Sequence, residues 1–229
     1  MIHQLIFAAP RPGMTVQEFQ RYWVEEHAVR YASRIPQIKR YAVDTTIPQP
    51  GENPLWQGVA EIWLENEEEQ VASLQTPEFL EGARLDEPRW AAFWQSVVLD
   101  TDTETVVRGE PEDAVQPGVK LIVLGKRREG MSRDEFREYS RRTHAPLVRE
   151  VPGVRRFYQS FTRDGWYAIS EPPFDVAYHV WFDDLAALAE ARLTPERAAV
   201  LADRAAFLNE DYVHTLLLRQ HWVIGPEAR

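Results

Sequence analysis

Two histidines occupy the same place in two related stretches of this sequence. Residues 14–41 and 131–157 align at an offset of 117, and this alignment places His27 on His144. An imidazole titrates near neutral pH, so it can take a proton from carbon or oxygen and later return it. Both histidines are therefore candidate general acids or bases. The alternative is a structural role, in which each is a buried histidine at a helix end, bonded to a neighbouring carbonyl group.

The similarity between the two stretches indicates an internal duplication. Identical residues occur at Met14/Met131, Glu18/Glu135, Phe19/Phe136, Tyr22/Tyr139, His27/His144 and Ala28/Ala145 and, after a one-residue deletion, at Pro36/Pro152 and Arg40/Arg156. A repeat of this length is typical of two copies of one structural unit. We predict a first unit at residues 1–108 and a second at 119–229, joined by a polar linker at 109–118 that is rich in proline and glycine.

Composition excludes several classes of protein and of site. The chain has 229 residues and no cysteine, which rules out disulfides, thiolate zinc sites and a cysteine nucleophile. Its net charge of −10 argues against a nucleic-acid partner, because the phosphates would be repelled. No apolar run is long enough to span a bilayer, so no membrane partner is expected. The absence of cysteine is typical of a cytoplasmic protein, which we predict here. Because HExxH motifs and glycine-rich phosphate loops are absent, neither a metal nor another cofactor is expected.

Helix 1 of each unit must position the two histidines. Each of these helices opens with a capping box, formed by Thr15 with Glu18 and by Ser132 with Glu135. In the first unit, Phe19 and His27 lie on the same apolar stripe, two turns apart. The sequence therefore predicts that His27 faces the core side of its helix.

Eight strands are predicted around these helices. They cover residues 2–9, 38–47, 56–64, 97–107, 119–126, 154–163, 174–182 and 216–224. A second helical region, broken by a Thr-Pro pair, follows the third strand of each unit, which gives the order βαββαβ twice. This order is that of the ferredoxin-like split, with both helices on one face of an antiparallel sheet.

The apolar residues of the strands predict that a further layer covers the other face of each sheet. Residues 121–124 are consecutive apolar residues, and a strand that is apolar on both sides needs cover on both sides. We therefore predict an α+β fold, in which tandem ferredoxin-like βαββαβ units pack sheet to sheet as an intramolecular, pseudo-dimeric α+β barrel. A homodimer beyond this internal pseudo-dimer is compatible with the sequence.

The repeated motif resembles the EthD family of the dimeric α+β barrel superfamily. The second unit carries it in Phe136, Tyr139, His144, Ala145, Pro146, Leu147, Val148, Pro152, Gly153, Arg155, Arg156 and Phe157. The first unit carries it in Phe19, Tyr22, Trp23, His27, Ala28, Arg40 and Tyr41, with Val29 and Arg30 in place of Pro-Leu. The resemblance implies a small apolar or aromatic ligand in a pocket between sheet and helix.

The resemblance also implies roles for aromatic side chains. In lactone isomerases that share it, a tyrosine on strand 2 stands near the helix-1 histidine, and Tyr41 fills that place here. Its hydroxyl can polarise a carbonyl or enolate oxygen. Because the second unit has Phe157 instead, the His–Tyr pair favours catalysis in the first unit.

Further candidate substrate-binding residues lie on helix 1 and on strands 2 and 3. They are Trp23, Trp63, Trp181, Phe157 and His179. For the aromatic members of this set, the alternative is a role in the core. The sequence alone does not separate the two roles.

The leading hypothesis is a cofactor-independent lyase or isomerase of the decarboxylase, dehydratase or lactone isomerase type. It would act on a small cyclic or aromatic metabolite, with His27 and His144 moving the proton and Tyr41 polarising the oxygen. The alternatives are a cofactor-free monooxygenase of the same barrel superfamily and a non-catalytic protein that binds a small molecule.

Overall fold

A computed structural model describes residues 1–109 and 118–225 of the chain. It contains two compact units, one formed by Met1–Asp100 together with the chain from Leu218 onward, and one formed by Thr101–Leu217. Residues 110–117 of the expected linker lie outside the described residues. The domain limits drawn from the sequence therefore remain a prediction.

The eight strands lie close to their predicted positions. They are β1 (Ile2–Ala8), β2 (Arg40–Thr46), β3 (Gly58–Leu64), β4 (Val97–Val107), β5 (Val119–Gly125), β6 (Arg156–Thr162), β7 (Val176–Phe182) and β8 (His214–Ile224). Every residue of β5 is buried, as the apolar run in this strand predicts.

The α-helices are mostly short. They are α1 (Val16–Tyr22), α2 (Ala28–Arg30), α3 (Glu67–Ser73), α4 (Arg84–Asp86), α5 (Arg133–Tyr139), α6 (Ala145–Arg149), α7 (Asp164–Ile169), α8 (Leu185–Ala191) and α9 (Pro195–Phe207). Within the described residues, no helix is both long and apolar enough to cross a membrane.

Each unit has its own antiparallel four-stranded arrangement. The order is β1-β3-β2-β8 in the first unit and β5-β7-β6-β4 in the second. The part of β8 that pairs with β2 runs from Leu218 to Ile224, and the part of β4 that pairs with β6 begins at Thr101. The fourth strand of each unit is thus supplied by the end of the other sequence repeat. The predicted α+β fold class, with tandem ferredoxin-like units, is confirmed.

Both capping boxes predicted from the sequence are present. The Thr15 hydroxyl accepts from the Glu18 backbone N–H at 3.2 Å, and the Glu18 carboxylate accepts from the Thr15 N–H at 2.9 Å. Ser132 and Glu135 make the same two bonds at the same two distances. Each box satisfies backbone donors that a helix start would otherwise leave open, which stabilises the helix by about 1 kcal/mol.

The first helix of each unit is not the continuous α-helix that the sequence predicts. A five-residue π-helical segment, Trp23–His27, separates α1 from α2, and the segment Ser140–His144 separates α5 from α6. Each π-helical segment ends at one of the two candidate histidines. Extra residues of this kind inside a helix turn a side chain away from its regular position and are common at functional sites.

The connection between β6 and β7 contains a helix. Residues between β6 and β7 form α7, although Gly165 and two prolines in this region indicate a loop. Contacts from α5 override the local sequence, because Arg133 and Arg137 both bind the Asp164 carboxylate, at 2.9 and 3.0 Å. The Arg133 guanidinium also lies 4.6 Å from the centre of the Tyr167 ring.

Candidate active site

His144 is held in the second unit by a carboxylate. Its Nδ1 lies 2.8 Å from Oδ2 of Asp203 on α9. The other carboxylate oxygen, Oδ1, accepts a hydrogen bond from the Tyr139 hydroxyl at 2.7 Å. A carboxylate beside Nδ1 holds the proton on that nitrogen, so the lone pair of the neutral ring is on Nε2. The arrangement orients His144 as a base that acts through Nε2.

The first unit repeats this arrangement. His27 Nδ1 lies 2.9 Å from Oδ2 of Asp86, and the Tyr22 hydroxyl donates to Oδ1 of Asp86 at 2.8 Å. In both units the partner of the histidine is a carboxylate, whereas the structural alternative supposes a backbone carbonyl. Duplication has therefore kept a Tyr–Asp–His triad.

Burial lowers the pKa of both histidines below the ordinary value. Removal from water is the largest cause for His27 and for His144, and it outweighs the opposing effect of Asp86 and Asp203. For His144, the nearby Arg204 guanidinium lowers the pKa further. Both imidazoles are therefore neutral at pH 7, which is the form a base requires.

The lowered pKa values predict a stability that falls in weak acid. A folded state with depressed histidine pKa values binds fewer protons than the unfolded chain, so stability is complete above the ordinary value of 6.5 and declines as the pH falls below it. His221, whose pKa burial also lowers, contributes in the same direction. Urea unfolding between about pH 8 and about pH 5 measures the slope. The double variant His27→Asn/His144→Asn should have a smaller slope than the wild-type protein, and an unchanged slope would contradict the prediction.

A cavity lies beside His144 in the second unit. The space between its walls is about 420 Å³ when open solvent is included, and the part that can hold the centre of a water molecule is about 30 Å³. The walls are mainly apolar and include Val148, Phe157 and Val180. Its polar lining comes from His144, Tyr178, Arg197 and Arg204. Apolar walls with a few convergent polar groups are typical of small-molecule sites.

Tyr178 supplies the phenol of this cavity. Its hydroxyl lies 2.6 Å from Oγ of Ser140, and Ser140 in turn donates to Oε1 of Gln159 at 2.7 Å. Because the Ser140 proton goes to Gln159, the Tyr178 hydroxyl donates its own proton to Ser140. Burial raises the Tyr178 pKa, so this phenol stays protonated. Sequence patterns predict no role for Tyr178, which stands on β7 where the first unit has Ala60.

In the first unit, two indole rings pack beside the triad. Trp23 and Trp90 correspond to Ser140 and Phe207, and both are fully buried. Their ring centres are 4.8 Å apart, and the Trp90 ring lies 4.7 Å from that of His27. In the second unit the Phe207 ring packs against His144 at a similar distance, 4.8 Å, and Ser140 stands where the first unit has Trp23.

Tyr41 is part of this aromatic packing. It is buried, and its hydroxyl accepts a hydrogen bond from Nε1 of Trp23 at 3.3 Å. Burial raises the pKa of Tyr41, so it too stays protonated. Of the residues predicted from the sequence, Trp23 and Tyr41 thus lie on the helix side of the first sheet, and Phe157 lines the cavity of the second unit.

The remaining predicted residues lie on the opposite face of their strands. Tyr178 and Val180 line the cavity, and His179 and Trp181 alternate with them along β7, so they point away from it. On that face, the Lys120 ammonium lies 4.6 Å from the centre of the Trp181 ring.

Trp63 has the same orientation in the first unit. Its neighbours Ile62 and Leu64 belong to the helix-side core, so Trp63 lies on the other face of β3. There it stacks on His3 with ring centres 4.3 Å apart, and the Arg40 guanidinium lies 4.9 Å from its centre.

The two aspartates were missed by reasoning from the sequence. Asp86 and Asp203 are separated by the same 117 residues as His27 and His144. That shared offset was a usable signal, because a carboxylate repeated with its histidine suggests a pair. No comparable signal pointed to Arg197 and Arg204, which have no arginine counterparts in the first unit.

The polar groups of the cavity suit an anion better than a metal ion. Metal sites in proteins use imidazole, thiolate and carboxylate ligands. Here one imidazole is accompanied by the guanidinium groups of Arg197 and Arg204, which repel a cation and cannot ligate it.

The sequence model of the EthD domain matches this chain twice, at residues 11–93 and at residues 128–211. The chain belongs to the EthD family. Each match spans one of the Tyr–Asp–His triads. The resemblance inferred from the histidine motif is thereby confirmed. None of the curated proteins matches the sequence of this EthD-family protein.

Solved structures share the fold of this EthD-family protein at low sequence identity. An anthrone oxidase-like protein is 13% identical, with a TM-score of 0.66 and coverage of 97% of this chain and 92% of its own. A candidate monooxygenase from Lactobacillus acidophilus NCFM is 11% identical, with a TM-score of 0.57 and coverage of 100% and 97%. A mutant chlorite dismutase from Candidatus Nitrospira defluvii is 11% identical, with a TM-score of 0.51 and coverage of 96% and 90%. At these identities the likeness concerns the fold alone.

Proposed function

We propose that this protein is a cofactor-independent lyase or isomerase that moves a proton on a small cyclic or aromatic molecule bound in the second unit. The observation that carries the proposal is the position of His144, which is oriented by Asp203 and lines an apolar cavity. In the first unit, Ala60 stands in place of the phenol Tyr178 and Glu87 in place of Arg204, so the histidine lacks these polar neighbours. We therefore place catalysis in the second unit, although the His–Tyr pair favours the first.

The chemical step uses His144 as the base. Its neutral ring takes a proton from a carbon of the substrate through Nε2, and the imidazolium so formed is stabilised by the Asp203 carboxylate. Tyr139 holds that carboxylate in place from its other oxygen. Return of the proton to a different carbon completes an isomerisation, and its transfer to a leaving oxygen completes an elimination.

The walls of the cavity support this step. Val148, Phe157 and Val180 offer an apolar surface to a ring, and they exclude water from the carbanion or enolate that forms. In such surroundings, a fixed charge or dipole acts more strongly on the reacting atoms than it would in water.

A cofactor-free monooxygenase is the second candidate, favoured by the names of two structural neighbours, the anthrone oxidase-like protein and the candidate monooxygenase. It would share the first step, because an electron-rich carbanion is also what reacts with O₂. For a ring methylene, one oxygen atom enters the substrate as a carbonyl and the other leaves as water, with the substrate supplying the electrons. Oxygen consumption separates this reaction from a proton transfer.

Deuterium exchange tests the proposal across a set of simple ring compounds. Small cyclic ketones, lactones and phenols are incubated with the protein in D₂O, and label at carbon is followed by NMR, with an oxygen electrode in parallel. We expect exchange to be catalysed by the wild-type protein and to fall by about 10²- to 10⁴-fold in His144→Ala. Exchange that is equally fast in His144→Ala, or reduced only in His27→Ala, would contradict the proposal.

A further inference from the structure

Two arginines of α9 enter the cavity of the second unit. Arg197 and Arg204 are seven residues apart, with Val200 between them, so the three side chains share one face of the helix. All three line the cavity that also contains His144. Two guanidinium groups therefore lie in a site whose walls are otherwise mainly apolar.

These two arginines lack the carboxylate partners that most other arginines of the unit have. Within residues 1–109 and 118–225, neither Arg197 nor Arg204 forms an ion pair, and Nε of Arg204 is buried without a hydrogen-bond partner. By contrast, Arg137, Arg141 and Arg155 each bind a carboxylate. Glu210 attracts Arg204 from a distance without forming an ion pair with it. A half-buried cation without an ion-pair partner is costly to the folded protein, and such a cost is offset where an anion binds.

Burial also lowers the pKa of Arg197, to about 10, with Arg204 and Arg192 acting in the same direction. At that value Arg197 remains protonated at neutral pH. Burial likewise lowers the pKa of Arg204. Both lowered values are those of cations whose charge is poorly compensated inside the protein.

The first unit has no such pair of charges. Phe79 stands at the position of Arg197, since each lies three residues after the threonine of a Thr-Pro pair and donates its backbone N–H to that threonine. Glu87 stands at the position of Arg204, and its carboxylate binds Arg84. Since the histidine, the aspartate and the tyrosine of the triad were kept in both units, the two arginines distinguish the second unit from the first.

We propose that Arg197 and Arg204 bind the carboxylate of a substrate that consists of one small ring bearing that carboxylate. This inference rests on the proposed function, since it identifies the substrate class of the same site. A planar guanidinium matches a carboxylate with two parallel hydrogen bonds. The ring would then lie against Val148, Phe157 and Val180, with a C–H bond directed at Nε2 of His144.

Binding of benzoate and of benzamide tests the proposal directly. The two compounds have the same shape, and only benzoate is charged. Measured by titration calorimetry at neutral pH, benzoate should bind the wild-type protein at least about tenfold more tightly than benzamide. Arg197→Gln/Arg204→Gln should lose this preference, and Arg204→Lys, added to cover a folding defect in the double variant, should keep part of it. The matched control Arg149→Gln, at an exposed arginine of the same unit, should behave as wild type.

The other outcomes overturn the proposal. Equal binding of benzoate and benzamide, no binding of benzoate, or an undiminished preference in folded Arg197→Gln/Arg204→Gln would each do so. Inorganic phosphate that binds as tightly as benzoate would mean a general anion site and would also overturn it. His144→Ala separates the two hypotheses: it should keep benzoate binding even though exchange is lost, so a failed exchange assay with intact benzoate preference counts only against the proposed function.

Discussion

Asp203→Asn is expected to reduce turnover by about 10²- to 10⁴-fold while leaving the fold of the second unit intact. The carboxamide has nearly the same shape as the carboxylate, but its NH₂ group donates a hydrogen bond to Nδ1 of His144. The ring proton then moves to Nε2, and the lone pair that should accept the substrate proton is lost. The deuterium-exchange assay measures the effect, which should appear in kcat more than in KM, because the substrate still fits the cavity.

The matched control is Asp86→Asn in the first unit. It makes the same chemical change at the same place in the repeat, with the same two partners, a histidine and a tyrosine. Turnover should be unchanged, since the proposed site is in the second unit and the first unit has Glu87 where that site has Arg204. Equal losses from Asp203→Asn and Asp86→Asn would show that catalysis does not reside in the second unit alone.

Trp90→Ala should lower the free energy of unfolding by about 3–5 kcal/mol, the usual range for removing a buried aromatic side chain. The Trp90 indole is 1% exposed. Its ring centre lies 5.4 Å from that of Phe19 and 5.8 Å from that of Phe93, in addition to its contacts with Trp23 and His27. Removal of the indole leaves a cavity that this closely packed group cannot fill. Urea unfolding followed by circular dichroism measures the loss.

Trp94→Ala provides the comparison for Trp90→Ala. Trp94 lies four residues further along the same segment, but its side chain is 71% exposed. A substitution there should change stability by no more than about 0.5 kcal/mol. If the two tryptophan variants unfold at the same urea concentration, the description of the first-unit triad as part of a packed core is wrong.

Most of the fold follows from local sequence patterns. The eight strands, both capping boxes and the duplication depend on short-range signals, such as apolar runs and a Ser or Thr three residues before a Glu. The π-helical segments and α7 do not. A π-helical segment differs from an α-helix by one residue per turn, which the spacing of apolar side chains cannot resolve, and α7 depends on ion pairs from Arg133 and Arg137.

The sequence predicts the two candidate histidines, but it does not predict which of them belongs to the active site. His27 and His144 could be found because the repeat contains both, but the repeat does not say which unit has space beside its histidine. That depends on exchanged volumes: Trp23 faces small residues such as Gly58 in one unit, whereas Ser140 is bonded to Tyr178 in the other. In the first unit the large side chain is on the helix and the small ones are on the strand. In the second unit the small side chain, Ser140, is on the helix and the large one, Tyr178, is on β7.

The end of β8 belongs to the first unit, although it follows the second unit in the chain. This arrangement determines the order in which the two units can complete their folding during synthesis. All residues of the second unit up to Leu217 are translated before Leu218–Ile224, the segment that pairs with β2. Although translated first, the N-terminal unit must keep one sheet edge open until Leu218–Ile224 leave the ribosome. An open edge is a template for pairing with other chains. The packed aromatic group around Trp90 gives the first unit a hydrophobic core before Leu218–Ile224 are synthesised.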